Sequence, residues 1–148
     1  MQLGGWMLCL HLIAVAIWVG GMAVMHFAVR PAAVAVLPPP LRLAFLSAAL
    51  GRFFNGVAAA ILVLLFSGFA MWREMPFAGP GVHAMAGLAL LMTLIFVLIR
   101  VVLYPGMRAA VAAENWPGAA RLLGFIRHLV ALNLALGITT IALACLMR

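Results

Sequence analysis

Four histidines carry the chain's most evident metal chemistry: His11, His26, His83 and His128, each in or at the end of a long apolar run. An ionisable side chain inside a membrane span is costly, which makes each a functional candidate. Their positions sort them into two layers, His11 with His83 and His26 with His128, each layer drawn from two different runs. Two neutral imidazoles facing each other from separate helices are what haem b requires. His11 and His26 lie on one run, about 22 Å apart along a helix and about 60° apart around it, so both can face one interior. The layer of His11 and His83 is the stronger candidate, since His26 sits close to an interface and His128 deeper. A histidine at a helix end also settles at an interface with no ligand at all, a reading that suits His26 and His83 better than His11.

The layer of His11 and His83 is also rich in sulfur: Met7, Cys9, Met71, Met75, Met85, Cys145 and Met147. Thioether and thiolate beside imidazole suit copper(I), with Met7 and Met85 the candidate soft ligands. The competing role for methionine is gap-filling and lipid contact. Cys9 and Cys145 lie at similar depth, so a disulfide is conceivable, although two separate thiols are the simpler reading. Arg52 and Asn55, three residues apart, could hold a haem propionate or a lipid phosphate; snorkelling of Arg52 to the interface is the alternative. Asn133, Thr139 and Thr140 read as hydrogen-bonding glue. Glycines such as Gly21 permit close helix packing or room for a flat cofactor, and packing is the default.

Other chemistries are excluded. The sequence has no Asp, and its two Glu, Glu74 and Glu114, fall between the apolar runs. There is no hydrolytic constellation, phosphate loop, CxxC or CxxCH, and no carboxylate relay through a membrane.

The elements that must position these residues follow from composition. Of 148 residues, 69% are hydrophobic and 7% charged, whereas a soluble domain is roughly a quarter charged. Four apolar runs, separated at prolines, predict an all-α transmembrane four-helix bundle, antiparallel and up-and-down, in one domain, 1–148. The helices are expected at about 4–29, 43–72, 82–104 and 120–147, the first ending before Arg30-Pro31 and the third before Pro105-Gly106; Pro76 and Pro80 break the second connection. Each run can span ~30 Å, and none shows the alternation of a membrane barrel. The first run lacks a basic leader and reads as a retained helix. No internal repeat is evident.

All nine basic residues are Arg, and the net charge is +7. In this setting the charge serves anionic headgroups, not nucleic acid. Seven arginines (Arg30, Arg42, Arg52, Arg100, Arg108, Arg121 and Arg127) fall at one end of the bundle, against Arg73 and Arg148 at the other. The positive-inside rule then puts the seven in the cytoplasm and both termini in the periplasm of a bacterial inner membrane.

The run from His11 through Trp18 to Gly20-Gly21 resembles the first helix of the copper-resistance D (CopD) family. Arg30-Pro31, Arg52-Phe53, Ser67-Gly68, Asn133-Leu134 and Gly137 extend the likeness over most of the chain. The resemblance implies a compact inner-membrane member tied to copper handling, with a periplasmic copper-binding partner. It carries over His11, Trp18, Gly20 and Gly21; Trp18 and Gly21 then become candidate cofactor-pocket contacts. His26 and His83 look like shared positions, and His128 matches nothing in the family pattern. The HemJ-type protoporphyrinogen oxidases have a similar first helix but use a lysine, which this chain lacks. The expectation is a metal centre, haem b or copper, serving copper handling or electron transfer with a redox partner or quinone. Transport or electron transfer is favoured over hydrolase or transferase chemistry. A HemJ-like oxidase and a non-catalytic assembly subunit are the alternatives, and a homo-oligomer stays open.

Overall fold

The computed structural model describes residues 2–75 and 79–146, and every regular element among them is helical. Four helices are long and apolar enough to cross a membrane: α1 (Gly4–Val36), α2 (Pro39–Arg73), α3 (Pro80–Ala112) and α4 (Trp116–Leu146). The chain is a multi-pass membrane protein. Pro76, Met147 and Arg148, all used in the sequence reading, lie outside the described residues.

Pro31 and Pro105 do not end their helices, contrary to expectation. Proline lacks an N–H, and its ring presses on the carbonyl four residues back. In both helices a wider, π-helical turn stands just upstream. Met25–Val29 precedes the α-helical segment Arg30–Val36, and Ile99–Leu103 precedes Tyr104–Ala112. Each proline therefore falls in the first turn of a fresh α-helical segment, where its missing donor does least harm. The chain breaks instead at Leu37 and Pro38, both extended, because a residue before proline is kept out of the helical region. The turn into α4 uses Glu114 at a positive φ of 54°. There Asn115 Oδ1 accepts the Gly118 N–H at 3.0 Å and caps the helix.

The helices are 31 to 35 residues long, yet about 20 residues cross the hydrocarbon. Arg52, Arg100 and Arg127 mark where the uncharged lengths stop: residues 53–72, 80–99 and 128–146 contain no Arg, Lys, Asp or Glu. The remainder forms a helical collar at the arginine-bearing end. At this level Arg100 donates to Asn55 Oδ1 at 3.3 Å, joining α3 to α2.

α1 packs along α2 and α3 along α4; the middle of α1 meets α4, and the end of α3 meets α2 and α4. Lipid tails are as apolar as leucine, so helix association depends on close packing. The centre is a chain of edge-on aromatic rings: Trp18 to Phe96 at 6.5 Å, Phe96 to Phe54 at 6.0 Å, and Phe54 to Tyr104 at 5.3 Å. Such pairs contribute about 0.5–1.5 kcal/mol each beyond burial. A Cβ on Gly21 would stand 2.7 Å from the Phe53 ring, and one on Gly137 2.9 Å from Val19. Both glycines are close-packing positions, and Gly21 has no space for a flat cofactor. Leu62, Phe66, Phe69, Leu90 and Val101 point outward as a lipid-facing coat.

Candidate functional site

The seam between α1 and α2 near the termini holds the one histidine with a buried polar anchor. His11 is half-buried, and its Nδ1 lies 3.0 Å from Ser67 Oγ. Ser67 is fully buried. Its hydroxyl lies 2.7 Å from the Val63 carbonyl and 3.2 Å from the Leu64 carbonyl. Carbonyls only accept, so the single hydroxyl hydrogen goes to them and Ser67 Oγ accepts from His11 Nδ1–H. That fixes the tautomer and leaves Nε2 with a free lone pair, the arrangement found behind metal-ligating histidines. Gly68 completes the seat, for a Cβ there would stand 3.3 Å from His11 Cε1.

Sulfur occupies the next turn. Gly4 lies against Glu74, and His11 against Ser67. The antiparallel register between these contacts puts Met7 level with Met71. Met7 is one turn from His11 on its face of α1, Met71 one turn from Ser67 on α2, and both are half-buried. An imidazole and two thioethers thus come to one short stretch of seam. Met71 is the member that sequence reading did not single out as a ligand. Ser67 appeared there only as part of a family likeness. A serine at helical spacing in an apolar run was the available signal, but its partner on α1 depends on register.

His83 is exposed in the first turn of α3. Its Nδ1–H donates to the Gly79 carbonyl at 3.1 Å, again freeing Nε2, and its ring stands edge-on to Trp72 at 5.7 Å. Trp72 is one turn beyond Gly68, so His11 and His83 contact α2 at levels about 6 Å apart. They do not hydrogen-bond each other. Met85 is half-buried on α3, while Cys9 and Cys145 are free and exposed, with no disulfide between them. Among the described residues no three of His, Cys, Asp and Glu gather around a common point.

In the second layer His128 and His26 make separate contacts. His128 is exposed; its Nδ1–H donates to the Gly124 carbonyl at 2.8 Å, and its Nε2 lies 3.2 Å from an Arg127 guanidinium nitrogen. Arginine only donates, so the lone pair that iron would need is engaged. His26 is half-buried, packs edge-on to Phe27 at 4.8 Å, and lines a crevice with Arg30 and Arg127. Arg52 donates to the Ala48 carbonyl of its own helix at 3.5 Å, and Asn55 serves Arg100 instead of sharing a ligand with it. Trp18 is buried in the aromatic chain. Haem b needs two facing imidazoles with a flat gap between them. The aromatic chain fills the middle of the bundle, Arg127 engages His128, and neither of two crevices in the helix surface is lined by His11 or His83. These residues do not fit a haem.

Residues 47–147, more than half of the chain, match the family model of copper resistance protein D. The chain belongs to the CopD family. The CopD match begins at Ser47 in α2, so it contains Ser67, Gly68, Met71, His83, Asn133 and Gly137, while His11 and Trp18 lie ahead of it. Neither the search of curated proteins nor that of solved structures returned a match.

Proposed function

We propose that this CopD-family chain handles copper(I) as cargo, taking it at the α1–α2 seam through His11 Nε2 with the thioethers of Met7 and Met71. The observation that carries the reading is the Ser67 hydroxyl held at 3.0 Å from His11 Nδ1, which presents a free, pre-oriented imidazole nitrogen beside soft sulfur. Neutral imidazole and thioether suit copper(I) and compete poorly for hard cations. His83, whose Nε2 is also free, stands nearer the membrane surface and serves as the outer exchange ligand. In this reading, which the arginine distribution supports through the positive-inside rule, this end faces the periplasm of a bacterial inner membrane, where a soluble copper-binding protein would exchange the ion.

The test is a copper(I) titration of the detergent-purified protein against a chromophoric chelator, with a visible spectrum of the same sample. One tightly held copper per chain, lost in His11→Ala and weakened in Met71→Leu, supports the reading. Full retention of copper in His11→Ala, or a Soret band that His11→Ala removes, overturns it.

A further inference from the structure

The arginine-bearing end contains a crevice between α1, α2 and α4 that copper handling does not use. His26 and Arg30 come from α1, Leu46 and Leu50 from α2, and Arg127 and Val130 from α4. Arg30 and Arg127 are both half-buried, as is Arg42 beside them. Arg30 lies within electrostatic range of both other guanidiniums. No carboxylate compensates them: Glu74 lies against Gly4 at the opposite end, and Glu114 is exposed in the turn before α4. Like charges held together and partly desolvated repel one another. They favour an anion that takes several N–H donors at once, as phosphate does with arginine. The cavity itself is about 30 Å³ and its surface is almost wholly apolar, so an anion belongs at its mouth beside the guanidiniums and not within it.

We infer that the mouth of this crevice binds the phosphate of an anionic phospholipid, with Arg30 and Arg127 as its main donors and Arg42 and His26 at its margin, while the apolar interior takes part of an acyl chain. Two features select a lipid over free phosphate. The crevice sits at the level of Arg127, where the uncharged length of α4 begins, and hence at headgroup depth. Its remaining walls, Met25, Leu46, Leu50, Leu123, Ile126 and Val130, are apolar, as an acyl chain requires. Basic pockets between spanning helices are suited to such headgroups. The bound lipid would lie across α1, α2 and α4 and hold the collar together.

The experiment is native mass spectrometry of the full chain from detergent, with phosphatidylglycerol or phosphatidylcholine added, paired with thermal stability in vesicles of either lipid. Phosphatidylglycerol should bind at least tenfold more tightly, and Arg30→Gln/Arg127→Gln should lose that preference, while Arg73→Gln at the opposite end keeps it. If the double variant does not fold, Arg127→Gln alone should reduce the preference several-fold. Inorganic phosphate at the same concentration should neither stabilise the protein nor displace the lipid. An undiminished preference in the folded arginine variants overturns the assignment. Equal binding of both lipids does so too, and so does stabilisation by inorganic phosphate that matches phosphatidylglycerol.

Discussion

His11 and Ser67 are joined across the α1–α2 seam at 3.0 Å, and the same serine oxygen stands 2.7 Å from the Val63 carbonyl of its own helix. The serine is a relay: α2 fixes the hydroxyl, and the hydroxyl fixes the imidazole. Ser67→Ala keeps the helix and removes the relay, freeing His11 to change tautomer and rotamer. Copper(I) affinity should fall about 10- to 100-fold, the usual effect of losing a partner behind a metal ligand. Ser67→Thr keeps a hydroxyl and should retain more of the affinity. Chelator competition reads both; equal affinity in Ser67→Ala and the parent protein would show that the hydroxyl is only helix glue.

Tyr104 and Gly51 should prove strongly coupled. The Tyr104 hydroxyl donates to the Ser47 carbonyl at 3.0 Å from a buried position, and a Cβ on Gly51 would collide with that hydroxyl. Tyr104→Phe loses one hydrogen bond, about 0.5–1.5 kcal/mol. Gly51→Ala should cost more, because the whole ring must shift within the aromatic chain. Combining Gly51→Ala with Tyr104→Phe removes the colliding oxygen, so the double variant should be more stable than the sum of the singles predicts. Thermal unfolding in detergent measures the cycle, and simple additivity would contradict the geometry.

The fold was legible because its strongest signal is local: four uncharged apolar lengths need no tertiary information to be read. The helix ends at Pro31 and Pro105 were not legible, because the π-helical turns that accommodate those prolines have no distinct composition. His11 stood out, since an imidazole that deep needs a partner. Its pairing with Ser67 and the levelling of Met7 with Met71 depend on inter-helix register, which a single sequence does not encode locally. Which partner each histidine of the two layers takes was not legible for the same reason. Depth follows from counting residues, but facing does not, and His128 turns to Arg127 instead of His26.

Asn133 is a buried polar residue in the interior. Its Nδ2 donates to the Met92 carbonyl at 3.3 Å, while its buried Oδ1 has no partner among the described residues. An unsatisfied buried acceptor costs about 1–3 kcal/mol, more than one long hydrogen bond returns. Asn133→Leu, close in volume, should therefore leave the protein equally stable or raise its melting temperature by a few degrees. Copper binding at the distant α1–α2 seam should be unchanged. A marked fall in melting temperature would mean that the amide is a necessary tie between α3 and α4.

Orientation can be read with the protein's own thiols. Cys9 and Cys145 are the two cysteines of the chain, and both are free and exposed at the end that carries the termini. With seven arginines at the other end, the positive-inside rule predicts Cys145 on the periplasmic side. In Cys9→Ser, a membrane-impermeant maleimide should label Cys145 in intact spheroplasts. In the cysteine-free background with Arg108→Cys, exposed on the collar, labelling should require permeabilisation. The reverse pattern would put the collar and its phosphate crevice outside, and His11 on the cytoplasmic side. Copper would then be met by its carriers within the cell, and the periplasmic partner would have to be abandoned.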